Sequence, residues 1–278
     1  KSSIACFLSA VSSFLKNKKK INGSISFLIT GDEEAQAING TKKVVDYLIK
    51  KKEKIDFCIV GEPTNPNKLG EMIKIGRRGS LSCNLELQGT QGHVAYPHLS
   101  NNPINSLITI CEKLKKKPLD KGNKHFQPSN LEFTRIDVDN KAHNVIPARV
   151  KTQFNIRYNN FHTAVSLKKM INAEVKSICK KNKIKYKIEF LTSGNSFLTK
   201  PGATIQMAKK VINKITKIKP VFSTTGGTSD ARFIKKISPC LEFGLVNKTM
   251  HRVDESVSLP DLKKLKKIYL SIIENYFI

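Results

Sequence analysis

Apolar positions repeat at helical spacing from the first turn of the chain. Ile4, Phe7, Leu8, Val11, Phe14 and Leu15 form one stripe, so a helix opens the sequence. No capping preamble precedes that stripe, and the chain is expected to be a fragment whose N-terminal part is missing. Residues 24–30 (SISFLIT) are a short, apolar, β-rich run, which predicts a buried strand. Residues 40–51 read as a helix with Val44, Val45, Leu48 and Ile49 inward, and residues 56–60 (DFCIV) as a second buried strand. This alternation predicts an α/β layer around a largely parallel sheet.

The pattern changes near Gly79. Leu81, Cys83, Leu85 and Leu87 alternate with polar residues, as in a strand with one wet face. A helix after Pro103 carries Leu107, Ile108, Cys111 and Leu114. Strands over 131–138 and 150–158, a helix over 165–179 and a strand over 185–191 complete the order β-α-β-β-α-β. That is the split βαβ, ferredoxin-like plan with an antiparallel sheet. The α/β pattern then returns, with a helix over 203–215, a short strand before Gly226, a strand over 241–246 and an amphipathic helix over 259–276. The expected organisation is one α/β domain built from residues 1–78 and 192–278, with an α+β domain of residues 79–191 inserted into it.

Charge and composition narrow the function. The 278 residues carry 49 Lys+Arg against 22 Asp+Glu, a formal net charge of +27. The lysines gather in runs such as Lys18 to Lys20, Lys50 to Lys52 and Lys115 to Lys117. Runs at helix ends and in loops stay solvated, and cations favour helix C-termini. A nucleic-acid reader would combine such charge with exposed aromatics, and Trp is absent. Nucleic-acid binding driven by charge is therefore the distant alternative. No run of about 18 apolar residues exists to span a bilayer. The six cysteines form no CxxC pair, which argues for buried thiols in a reducing, cytoplasmic setting.

Acidic and histidine positions follow the expected strands. Gly31-Asp32-Glu33-Glu34 comes straight after SISFLIT, and Gly61-Glu62-Pro63 straight after DFCIV. Open α/β sheets place their chemistry at strand carboxyl ends. Adjacent carboxylates repel unless they share a cation or a proton, so one Glu as metal ligand beside another as base is a consistent reading. A solvated acidic loop is the plain alternative. His251 lies beyond the strand ending at Val246. His93 follows a glycine in Gly92-His93-Val94-Ala95-Tyr96-Pro97-His98. Gly226-Gly227-Thr228-Ser229-Asp230 reads as a nest of backbone donors before a helix, with Ser229 or Asp230 as its cap. Arg77, Arg78 and Arg157 are candidate bidentate carboxylate clamps.

Together these stretches resemble the metal-dependent aminoacylase and carboxypeptidase superfamily that uses two co-catalytic zinc ions. The resemblance rests on TGDEEAQAINGTKK, VGEPT, IGRRGSL, GHVAYPHLSNNP, NVIPARVKTQFNIRY, GGTSDARF, EFGLVN and MHRVDE, in order along nearly the whole chain. It implies a zinc-exopeptidase-like catalytic domain with an inserted dimerisation domain. It implies two Zn2+ per subunit, with Co2+ able to substitute, and a homodimer that binds neither membrane nor nucleic acid. Glu33 would be the general base, with Glu34, Glu62 and His251 as metal ligands. His93 would stabilise the oxyanion in the partner's site. Arg77, Tyr96, Asn144, Arg157, Gly227, Thr228 and Asn247 would hold the substrate. The small-molecule substrate this implies is N-succinyl-LL-2,6-diaminopimelate, cleaved to succinate and LL-2,6-diaminopimelate; acetylornithine-type substrates are the alternative. A further histidine ligand and a bridging aspartate of the superfamily match no position in this chain. The resemblance therefore implies a 278-residue chain that is inactive and binds zinc poorly by itself.

Overall fold

The computed structural model describes residues 1–17, 21–35 and 37–277. The lysine run at Lys18, Lys19 and Lys20 lies outside the described residues. Helices α1 (Ser2–Asn17) and α2 (Thr41–Lys51) precede strands β1 (Cys58–Val60), β2 (Met72–Lys74) and β3 (Gly76–Arg77). Then come β4 (Gly79–Gln88), β5 (Gly92–His93), α3 (Pro103–Lys115), β6 (Asn130–Asp137), β7 (Val145–Ile146), β8 (Arg149–Tyr158), α4 (Ala164–Lys181) and β9 (Lys185–Gly194). The chain ends with β10 (Phe197–Leu198), α5 (Ala203–Thr216), β11 (Val221–Ser223), α6 (Ala231–Ile234), β12 (Cys240–Glu242) and α7 (Leu259–Tyr276). These form two compact units, Lys1–Arg77 with Phe197–Ile278, and Arg78–Ser196.

The first unit is built on a sheet ordered β1-β12-β2-β11. The β1/β12 and β2/β11 pairs are parallel, while β12 meets β2 antiparallel through Glu242 and Lys74. Helices α1, α5 and α7 supply the apolar cover, with Cys6, Ala10, Ile205, Ala208, Leu265 and Ile268 in one core with Ile73, Leu241 and Phe243. Phe7 stacks on Tyr269 with ring centroids 3.7 Å apart. The buried stripe of α1 is Cys6, Ala10 and Phe14, whereas Leu8 and Leu15 are exposed. In α2, Val45 is buried and Ile49 is exposed rather than inward.

Three expected strands differ from their sequence reading, and the one over 241–246 is reduced to β12, Cys240–Glu242. Residues 24–30 are neither a strand nor buried, and Phe27, Leu28 and Ile29 are 40%, 42% and 58% exposed. An apolar, β-rich run becomes a strand only beside a ladder that accepts its backbone. Among the described residues none pairs with this one, because the sheet ends at β1. For the same reason β1, an edge strand, is half-buried rather than buried.

The second unit keeps the expected plan. Its sheet is ordered β6-β8-β4-β9 with every pairing antiparallel. Leu81, Cys83, Leu85 and Leu87 on β4 point inward and are almost wholly buried. They meet Leu107, Ile110 and Leu114 of α3 and Leu167, Ile171 and Val175 of α4. Thr163 and Ser166 cap α4 reciprocally, each side chain taking the other's backbone N–H.

Candidate metallohydrolase site

In the first unit the segment after residue 30 is organised by Asp32. Its carboxylate accepts the backbone N–H of Ile38 at 2.6 Å and of Asn39 at 2.7 Å. Those bonds, Asn39 first, hold the Asp32 carboxyl below its usual value. Asp32 thus staples the loop, and the two glutamates beside it carry the open charge. Glu33 is half-buried and Glu34 exposed.

Glu62 stands just past β1 on a clamped stretch of backbone. Gly61 is needed there, because a Cβ would lie 2.8 Å from the Ser3 Cβ and 3.0 Å from the Phe7 ring. Fully buried Asn65 ties this stretch to the one after β12. It donates to the Gly244 carbonyl at 2.7 Å and accepts from Met72 N–H at 2.9 Å. The backbone N–H of Asn247 bonds the Asn65 carbonyl at 2.9 Å, which brings the Asn247–His251 turn alongside. His251 Nε2 lies 3.8 Å from the Glu34 carboxylate, and its backbone has a left-handed φ of 60°.

The carboxylates act on one another. Burial pushes Glu62 up to about 7, and the charges of Glu33 and Glu242 add to the shift. Burial also raises Glu33, helped by Glu34 and Asp230 and opposed by Arg232. In a chain with net charge +27, such a concentration of acid is a local choice. Asp230 Oδ1 and Arg232 Nε are buried with no hydrogen-bond partner among the described residues.

Glu242 and Arg77 answer each other beside this group. Glu242 is 1% exposed and Arg77 8%. Arg77 Nε donates to Glu242 Oε1 at 2.9 Å, its Nη2 donates to Oε2, and its Nη1 reaches the Thr225 carbonyl at 3.2 Å. Burial works against the guanidinium charge, but Glu242 outweighs it and holds Arg77 above its usual value. Most of the Arg77 donors, assigned from sequence to substrate, are therefore engaged inside the protein. Ser229 Oγ donates to Glu242 Oε1 at 2.8 Å, and neither Ser229 nor Asp230 caps α6 by its side chain. Lys74 Nζ reaches Thr225 Oγ1 at 2.5 Å, and burial lowers this lysine to about 8. Gly227 is exposed and Thr228 half-buried at the tip of the loop.

The remaining candidates belong to the second unit. His93 on β5 pairs with Val145, so Asn144 lies alongside, its carbonyl accepting the Val94 N–H at 3.0 Å. His93 Nδ1 accepts the Ala95 N–H at 3.1 Å, and the His93 and Tyr96 ring centroids are 5.9 Å apart. His93, Tyr96 and Asn144 are all exposed. Arg157 is half-buried on β8, close enough to Arg78 to lower it after burial has done so. Arg78 itself is occupied by the Pro128 carbonyl and Asn130.

Two carboxylates and an imidazole suit a hard or borderline divalent cation, and a cation relieves the repulsion that raises Glu62. Glu34, Glu62 and His251 thus fit such an ion in kind. They do not form a closed set: among the described residues no group of three or more His, Cys, Asp or Glu could hold a metal. Glu242, Asn65 and Asp230 were absent from the sequence reading. A lone Glu inside the apolar run CLEF was the available signal, because such a buried charge requires a partner.

The α/β fold and the acidic site accord with a metal-dependent hydrolase of amide bonds. The model of peptidase family M20/M25/M40 matches residues 1–275, and the chain belongs to that family, whose members work with a divalent metal. The chain is 65% identical over 277 residues to a succinyl-diaminopimelate desuccinylase of Pelagibacter ubique, covering 100% of this chain and 72% of the relative. It is 49% identical to the protein of that name in Rhodospirillum centenum, covering 71% of it. Among solved structures, the aminopeptidase PepT of Bacillus cereus superposes with a TM-score of 0.79 at 19% identity, over 98% of this chain and 69% of that one. An M20 family metallo-carboxypeptidase of Sulfolobus solfataricus gives 0.73 at 17% identity, over 99% and 75%.

Proposed function

We propose that this protein hydrolyses the amide bond of N-succinyl-LL-2,6-diaminopimelate, releasing succinate and LL-2,6-diaminopimelate, on the way to diaminopimelate and lysine. The observation that carries the reading is the acidic group of Glu33, Glu34 and Glu62 beside His251, in a family member 65% identical to a desuccinylase. Glu34, Glu62 and His251 would hold zinc, two ions per subunit in the complete site, with Co2+ as a substitute. Bound there, the metal supplies Lewis-acid polarisation of the scissile carbonyl and makes water acidic enough to attack near neutral pH.

The residues of the chain do the rest. Glu33, raised by burial and by its acidic neighbours, takes a proton from the attacking water and returns it to the leaving amine. In the first unit Gly227, Thr228 and Asn247 supply polar contacts for the substrate carboxylates, and Arg77 contributes the donors that Glu242 leaves unused; the family resemblance assigns Tyr96, Asn144 and Arg157 of the second unit to the substrate as well. His93 reaches into the site of the partner subunit and donates there to the developing oxyanion. The second unit would be the homodimer surface, its sheet ending in the open edges β6 and β9 among the described residues. Six free cysteines, and no helix long and apolar enough to cross a membrane among the described residues, support a place in the cytoplasm.

Side-by-side turnover by the holoenzyme with its complete ligand set, the further histidine and the bridging aspartate included, decides the substrate. The succinylated diaminopimelate should be cleaved at least roughly a hundredfold more efficiently than acetylornithine, since a site built for a polar group rejects a substrate lacking it. Equal turnover, or preference for acetylornithine, overturns the assignment.

A further inference from the structure

We propose that Glu242 is a positioning residue that locks Arg77 and the 225–229 loop into the conformation that receives a substrate carboxylate. The proposal rests on the reading that Gly227 and Thr228 bind such a carboxylate. Glu242 comes from the last residue of β12 and is almost completely buried. Its two oxygens divide between two elements. Arg77, on β3, meets both of them, and Ser229, at the far end of the loop, meets Oε1 at 2.8 Å.

Arg77 extends the hold to the near end of the loop through its Nη1 bond to the Thr225 carbonyl. Lys74 grips the Thr225 hydroxyl from β2, and that hydroxyl lies 2.9 Å from Ser223 Oγ. Both shoulders of Gly226-Gly227-Thr228 are therefore tied to one buried carboxylate, directly or through one guanidinium. The fit is close: at Gly226, with φ of +99°, a Cβ would stand 2.6 Å from Arg77 Nη1. The tip, with Gly226 and Gly227 exposed and Thr228 half-buried, is then the part of the loop left to meet a ligand. A preorganised loop spends less of its binding energy on ordering when the ligand arrives.

The arrangement also fixes the guanidinium. Two of its N–H groups go to Glu242 and one to Thr225, leaving two of the five that arginine carries. Their direction follows from the plane set by Glu242. Arg77 can thus offer an edge to the substrate only in the orientation this carboxylate imposes.

The test uses Glu242→Gln and Ser229→Ala in the holoenzyme, with two readouts. Backbone amide exchange over residues 225–229 should accelerate in both variants, while exchange in the second unit stays at the wild-type rate. With N-succinyl-LL-2,6-diaminopimelate, KM should rise roughly tenfold for Glu242→Gln and severalfold for Ser229→Ala, with kcat nearly unchanged, as expected for lost uniform binding. Ser229→Ala keeps the buried ion pair, so it decides the matter if Glu242→Gln does not fold. Wild-type exchange rates in a folded variant, or a fall in kcat without a rise in KM, overturn the proposal. A wild-type enzyme that fails to cleave this substrate sinks the substrate reading instead, and the exchange rates still judge the positioning role.

Discussion

Glu242 and Glu62 are carboxylates at strand ends in the same unit, and their surroundings differ in one respect. Glu242 is the more deeply buried, yet Arg77 and Ser229 supply it with donors on both oxygens. Glu62 is less buried and faces other acids, and it is pushed up to about 7. A carboxylate whose charge is met by hydrogen-bonded cations is a fixed part of the scaffold. Carboxylates collected together with no cation bonded among them form a site that a positive ion or a proton must complete. The comparison separates scaffold from working residues more sharply than burial does.

The larger test of that difference removes the partner of the buried charge. Arg77→Met leaves Glu242 inside the protein without its cation, which should cost about 3–5 kcal/mol of stability. Urea unfolding of the metal-free protein measures it; a loss within the error of wild type would mean that the pair is as dispensable as a surface contact.

The smaller test concerns Glu62. Its folded-state value near 7 lies above the ordinary glutamate value of 4.5, so the folded form binds more protons than the unfolded form between them. Stability of the metal-free protein should therefore fall as pH rises from 4.5 to 7. Glu62→Gln should lessen that slope, to which Glu33 also contributes, and stabilise the metal-free protein at pH 8 by on the order of 1 kcal/mol, after allowance for solvent screening. Thermal unfolding across that pH range checks the sign; a slope unchanged in the variant assigns the titration elsewhere.

The same logic explains what the sequence made legible. Residues 79–88 alternate strictly, and both neighbouring strands, β8 and β9, belong to the same unit, so the local pattern and the final sheet agree. Residues 24–30 have the composition of a strand, but no described neighbour takes up their backbone, and three large apolar side chains stay exposed. Pattern reports the preference of a segment, while pairing depends on a partner elsewhere. The site divides similarly. Glu33, Glu34, Glu62 and His251 were visible as acids and a histidine just beyond apolar runs. Glu242 was hidden because its role depends on Arg77, 165 residues earlier in the chain. Arg77 was read as a clamp for substrate for the same reason, since the sequence shows its donors and not what they already hold.

Zinc content and turnover, measured on the same preparations of wild type, Glu33→Gln and Glu62→Gln holoenzyme, test the division of labour most directly. The account predicts that Glu33→Gln retains its metal and loses roughly 100-fold or more in kcat, the lower range for removal of a general base, while Glu62→Gln loses the metal. A Glu33→Gln protein stripped of zinc, or a Glu62→Gln protein that keeps it, would contradict the assignment of base and ligand.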